Sequence, residues 1–195
     1  MGGQGGALLA RIAHEVVPRR PRLPTARHER RVGVQPGVVE RITPLAEEFG
    51  FVFGRFGEDP QRLVGVGGDN DVVDGGDGND LIFGSTGDDS VGGGAGNDQA
   101  YGGTADDLVD GGAGNDQVFG AGGDDTVRGG GGRDTVNGGT GNDRVEGGAD
   151  DDLLVGSSGD DRLIGGAGND TLNGGSGSDV FVFEDAAWGQ DTVTG

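Results

Sequence analysis

The 195-residue chain contains no cysteine and no lysine, and only one tryptophan, one tyrosine and two histidines. Without cysteine there is no disulfide, no thiolate zinc site and no cysteine nucleophile. Hydrophobic residues make up only 31% of the chain, too few for a conventional packed core. No apolar run approaches the roughly 20 residues of a membrane-spanning helix. Ala7–Leu8–Leu9–Ala10 is too short for the apolar stretch of a secretory signal, and His14 and Glu15 prevent its extension. A net charge of −20 opposes nucleic acid and anionic membrane surfaces alike, since both need a cationic partner. Neither nucleic-acid binding nor membrane insertion is expected.

Glycine, by contrast, supplies 48 residues, and charge divides the chain in two. Residues 1–65 hold ten Arg against seven acids, for +3, and residues 66–195 hold four Arg against 27 acids, for −23. High glycine with high net charge usually signals disorder. Here the order of the residues argues otherwise. From Val66 to Val182 the chain reads as thirteen nine-residue repeats without an insertion, such as GGDGNDLIF, GGAGNDQVF and GGAGNDTLN. The sixth position is always aspartate, and the eighth is always apolar: Val73, Ile82, Val91, Ala100, Val109, Val118, Val127, Val136, Val145, Leu154, Leu163, Leu172 and Phe181. A disordered low-complexity tract has no reason to keep that register.

This pattern resembles the RTX (repeat-in-toxin, haemolysin-type) nonapeptide family, whose repeats carry calcium on a parallel β-helix. Seven repeats match G-G-x-G-x-D in full, those beginning at Gly75, Gly93, Gly111, Gly129, Gly138, Gly165 and Gly174. The residues support the same fold independently. Glycines at positions 1, 2 and 4 permit a tight six-residue turn, and the three residues after it read as a very short strand. Alternation turns position 8 inward and positions 7 and 9 outward. Two repeats then close one coil, giving an all-β fold: a parallel β-roll, or right-handed β-solenoid, with two nonapeptides per coil. Six and a half coils at ~4.8 Å each make a rod of roughly 31 Å.

One buried side chain per nine residues cannot offset the backbone entropy of ordering nine residues, and the carboxylates of neighbouring coils repel, so the fold needs a ligand. Every candidate donor is oxygen. That selects a hard cation, and calcium, which accepts six to eight oxygens in flexible geometry, suits it better than magnesium. One edge would carry Asp71, Asp89, Asp107, Asp125, Asp143, Asp161 and Asp179, the other Asp80, Asp98, Asp116, Asp134, Asp152 and Asp170. The intervals between successive aspartates number up to about eleven Ca²⁺ sites. The resemblance implies that backbone carbonyls of the turns, at glycines such as Gly75, Gly93, Gly111, Gly129, Gly138, Gly165 and Gly174, complete the coordination. The intervals among Asp80, Asp98, Asp116 and Asp134 should bind best, because their turns keep every glycine whereas the other edge often loses one. Asp88, Asp106, Asp124 and Asp160, at position 5, read as a solvated acidic rim rather than extra ligands. Ala105 and Asp150 replace a turn glycine and should strain their turns.

Other chemistries fail on the residues. His14-Glu15-Val16-Val17-Pro18 has proline where a zincin helix needs its second histidine, no serine sits in G-x-S-x-G, and Asp69 to Asp80 lacks the closing glutamate of an EF-hand loop. The chain is expected not to be an enzyme. Residues 1–65 read as a basic Arg/Pro segment, partly disordered and poorly defined, with an N-terminal cap near 38–57; residues 183–195, with Phe183 and Trp188, read as an aromatic C-terminal cap. The resemblance implies a secreted, extracellular module whose folding is coupled to calcium, exported by a signal-peptide-independent type I route, although no C-terminal export signal is evident. The alternatives are the calcium-binding C-terminal part of a larger secreted protease, lipase or epimerase, or an adhesin or surface-layer spacer. Phe83, Tyr101 and Phe119, 18 residues apart at position 9, should stack on one sheet as an aromatic strip open to a protein partner.

Overall fold

The computed structural model describes residues 62–65, 67–183 and 189–194. The expected cap near 38–57 and Trp188 lie outside these residues. Among the described residues fifteen strands run in order: β1 (Arg62–Gly65), β2 (Val72–Asp77), β3 (Asp80–Thr86), β4 (Ser90–Ala95), β5 (Gln99–Thr104), β6 (Leu108–Ala113), β7 (Gln117–Gly122), β8 (Thr126–Gly131), β9 (Thr135–Thr140), β10 (Arg144–Ala149), β11 (Leu153–Ser158), β12 (Arg162–Ala167), β13 (Thr171–Ser176), β14 (Val180–Val182) and β15 (Thr192–Thr194). The odd strands form one sheet and the even strands the other, each in sequence order. All pairings are parallel, and through the repeats each residue faces the one 18 positions on: Val73 opposes Val91, and Val91 opposes Val109. This is the all-β parallel roll that the period requires, two repeats to a coil.

The position-8 side chains form two facing rows. Ile82, Ala100, Val118, Val136, Leu154 and Leu172 from the odd sheet meet Val73, Val91, Val109, Val127, Val145 and Leu163 from the even sheet, with Phe181 packed against the end. Small β-branched residues suit so thin a core because neighbouring rungs repeat the same shape.

The strands are longer than the three residues the sequence suggests. Most span six, because positions 2 and 3 pair as well: Gly76 opposes Gly94 and Asp77 opposes Ala95, while Gly75 drops out of the register. The buried position-1 glycine is a corner rather than the start of a loop. Positions 2 and 4 hold the left-handed backbone that closes each turn. Ala105 (φ 82°) and Asp150 (φ 75°) adopt it at position 4, and Ser85, Ala121 and Ser157 do so at position 2. The strain expected at Ala105 and Asp150 is therefore present in the backbone.

The two outer faces differ. The even sheet displays Asp74, Asp110, Arg128, Arg144, Glu146 and Arg162, with Arg128 and Arg144 both paired to Glu146. From Leu81 to Thr194 the strands of the odd sheet contain no charged residue. On that face Phe83, Tyr101 and Phe119 stack as their spacing suggests, with ring centroids 4.9 and 4.8 Å apart and planes inclined by 16° and 7°.

Candidate metal centre

Each position-6 aspartate sits where a turn meets the next strand. Asp71, Asp89, Asp107, Asp125, Asp143, Asp161 and Asp179 line the edge leading into the even strands, and Asp80, Asp98, Asp116, Asp134, Asp152 and Asp170 line the other. Twelve are at most 4% exposed; Asp179, in the last full repeat, is half-buried.

Burial of a carboxylate is costly unless its oxygens find partners. One of them does. The backbone N–H of Asp80 donates to Oδ1 of Asp98 at 2.7 Å, and Asp98 to Asp116 and Asp116 to Asp134 at 2.8 Å each. The opposite edge repeats this from Asp71 donating to Asp89 at 2.7 Å to Asp161 donating to Asp179 at 3.1 Å. The second oxygen, Oδ2, is buried without a hydrogen-bond partner in every ladder aspartate from Asp89 to Asp170.

The surroundings of Oδ2 are equally regular. A Cβ added to Gly111 would lie 2.7 Å from Asp116 Oδ2 and 2.6 Å from the carbonyl oxygen of Gly129. Thus a carboxylate oxygen and a carbonyl oxygen one coil further on crowd the same point, and both are acceptors. The same juxtaposition places the Gly93, Gly111, Gly138, Gly165 and Gly174 carbonyls beside Oδ2 of Asp80, Asp98, Asp125, Asp152 and Asp161. Of the seven turn glycines singled out in the sequence, all but Gly75 present their carbonyl in this way; Gly75 instead supplies a bare Cα beside Asp80 Oδ2. Among the described residues no three His, Asp or Glu side chains converge on one point, so a cation here draws on few carboxylates and on backbone oxygen.

Burial, and then the carboxylates one coil away, push the ladder aspartates upward, against the lowering effect of the backbone N–H. Asp107, Asp116, Asp134 and Asp143 rise to about 6, and Asp125 and Asp152 to about 7. Asp71, Asp89, Asp98, Asp161 and Asp170 rise for the same first cause. A row of carboxylates whose ionisation is opposed by burial and by its own neighbours calls for positive charge at Oδ2. With oxygen as the only donor, the group that fits is a hard divalent cation such as calcium.

The structure adds features that the residue pattern alone does not reveal. Position 5 is a second ladder. Asp88, Asp106, Asp124 and Asp160 are exposed, as a solvated rim would be, yet their Oδ1 atoms accept the N–H of the residue 18 positions on, at 3.3 Å for Asp106 and 2.8 Å for Asp124, Asn142 and Ser178. Asn79, Asn97 and Asn115 do the same on the other edge. The inner ladder accepts from the preceding coil and this outer one from the following coil, so each coil is tied in both directions. Arg133 cannot act as an acceptor; its guanidinium instead donates to Asp151 Oδ2 at 2.8 Å. N–H groups of Asn169 first, then Arg133, hold the Asp151 carboxyl below its ordinary value.

The inner ladder also runs past the thirteenth repeat. The Asp170 N–H donates to Asp191 Oδ1 at 3.0 Å, Gln190 N–H donates to Asn169 Oδ1, and Thr192 opposes Thr171. Gly189-Gln190-Asp191-Thr192-Val193-Thr194 continues the pattern after a three-residue insertion, which hid it from a strict count of nine. Phe183 is 40% exposed. At the other end Arg62 opposes Asp80, holding the register position that aspartate holds elsewhere.

The RTX calcium-binding nonapeptide-repeat model matches this chain in overlapping stretches from residue 66 to residue 181. The chain belongs to the RTX family. No curated protein matches it. The matched RTX stretches coincide with the coils that carry the unpartnered Oδ2 atoms, and both the family and the solenoid fit calcium binding.

Proposed function

We propose that the roll binds calcium in a row along each edge and that binding drives its folding. The observation that supports this most directly is the buried, partnerless Oδ2 beside a glycine carbonyl, repeated coil after coil. Successive aspartates one coil apart hold each ion, with turn carbonyls completing its oxygen shell. Asp191 adds an interval with Asp170 to the eleven counted from the sequence. The ions supply charge opposite to the −23 of residues 66–195 and relieve the repulsion that otherwise opposes coil stacking.

Folding coupled to calcium suits a module that stays unfolded where calcium is scarce and folds outside the cell, where sites of ~10⁻⁴–10⁻³ M affinity suffice. RTX repeats are typical of secreted proteins, and secretion is part of this reading. The roll itself is a binding module without catalytic machinery. Circular dichroism tests the proposal: a disordered spectrum in EGTA, strand signal in millimolar Ca²⁺, and little recovery in Mg²⁺ at equal concentration. A full β spectrum in chelator at neutral pH would refute it.

A further inference from the structure

The charge-free face of the odd sheet holds a cavity of about 380 Å³, just where the aromatic stack stops. Phe119 opposes Asn137 in the register, so the fourth rung has no ring and one face of Phe119 borders the gap. Tyr101, Ala121 and Gly139 also line it, and Asn137, Thr140, Ser157 and Ser158 supply polar side chains. The Ser157 hydroxyl donates to Asn137 Oδ1 at 3.0 Å, which leaves the amide nitrogen as a donor, and the Thr140 hydroxyl donates to the Ala121 carbonyl at 3.4 Å, which leaves its oxygen as an acceptor.

We infer that this slot binds a sugar ring of an uncharged glycan. A pyranose offers an apolar C–H face to stack on Phe119 at the spacing already set by the rings below it, and a hydroxyl rim to meet the amide and hydroxyls. A purely apolar occupant would strand those polar groups against hydrocarbon. An anionic glycan would meet an acidic rod through a slot lined by no basic side chain. The absence of charged residues from the odd strands between Leu81 and Thr194 extends the match beyond the slot, since a neutral polysaccharide chain or surface can lie along it.

Depletion of the full chain in millimolar Ca²⁺ by insoluble cellulose, chitin and starch, with calcium pectate gel as the anionic control, tests this. Retention by at least one neutral polysaccharide and not by pectate is expected. Asn137→Phe completes the ring stack, fills the slot and keeps the roll; its circular dichroism should match the parent while retention falls at least tenfold. Phe119→Ala should lose retention as well. No retention by any of the three, retention unchanged in Asn137→Phe, or preference for pectate would overturn the inference. So would a calcium-loaded dimer that Asn137→Phe dissociates, which would give the slot to a second copy. Retention gained only on deleting residues 1–57 would give it to the chain's own N-terminal segment, the cap expected near 38–57.

Discussion

Removing calcium should turn the roll into an acid-stabilised protein. Asp107, Asp116, Asp134 and Asp143 hold protons to about pH 6 in the folded chain, and Asp125 and Asp152 to about pH 7. In the unfolded chain all six revert to the ordinary aspartate value of 3.8. At pH 5 these six groups therefore bind about five more protons in the folded state than in the unfolded one. Because the folded pKa values are raised, stability is greatest below the unfolded value and is lost as pH climbs from about 4 through 7. Each excess proton adds ~1.4 kcal/mol per pH unit to that slope. The assay is a urea titration of the EGTA-treated chain followed by circular dichroism at several pH values between 5 and 7.5. The midpoint should fall steeply with rising pH, and strand signal absent at pH 7.5 should return at pH 5. Asp125→Asn, which keeps the Oδ1 acceptor but cannot ionise, should flatten the slope by about one proton. In saturating Ca²⁺ the slope must reverse, because protons then compete with the ion and acid weakens binding. A chelated chain indifferent to pH over this range, or slopes of the same sign with and without calcium, would refute the reasoning.

Asp98→Ala should raise the calcium midpoint, followed by circular dichroism, more than Asp107→Ala. Asp98 is flanked by turns with a full set of glycines, whereas the Asp107 turn contains Ala105 in a left-handed conformation; equal shifts would show that turn glycines do not set affinity. Ala105→Gly should stabilise the calcium-loaded roll by about 1 kcal/mol by relieving that conformation, as measured by thermal or urea midpoints. Gly111→Ala should destabilise it by about 1–3 kcal/mol, since the methyl meets the Gly129 carbonyl and Asp116 Oδ2. Gly131→Ala, where a methyl meets nothing within 4 Å, should stay within about 0.5 kcal/mol by the same urea measurement.

The coil, the two edges, the inward row at position 8 and the aromatic stack were all legible in the sequence, because each depends on a residue type recurring at a fixed spacing. Asp80, Asp98 and Asp116 could be placed one above another from the period alone. What escaped was carried by geometry rather than by residue type. Position 5 alternates among Asn, Asp, Ser and Arg, so its composition looks like a surface; that Asn79 and Asp88 present the same Oδ1 to the next coil is visible only once the coils are stacked. The extra pairing of positions 2 and 3 arises because the glycine corner bends the chain without leaving the sheet. Asp191 was concealed by a three-residue insertion, and β1 by an arginine in the place of aspartate.

The uniform 18-residue offset between neighbouring strands has a consequence for how such a chain finds its fold. A molecule whose rungs are nearly interchangeable can pair one frame out of step and lose little in ladder hydrogen bonds or core contacts. Two nuclei formed at a distance would then be unable to merge. The irregular rungs act as frame markers. Three rings meet only when Phe83, Tyr101 and Phe119 are consecutive, Arg133 reaches Asp151 only from the adjacent coil, and Arg128 finds Glu146 under the same condition. Departures from the consensus thus give a periodic polymer an address system, and a chain made of thirteen identical consensus repeats should fold to a mixture of frames where this one settles in a single alignment.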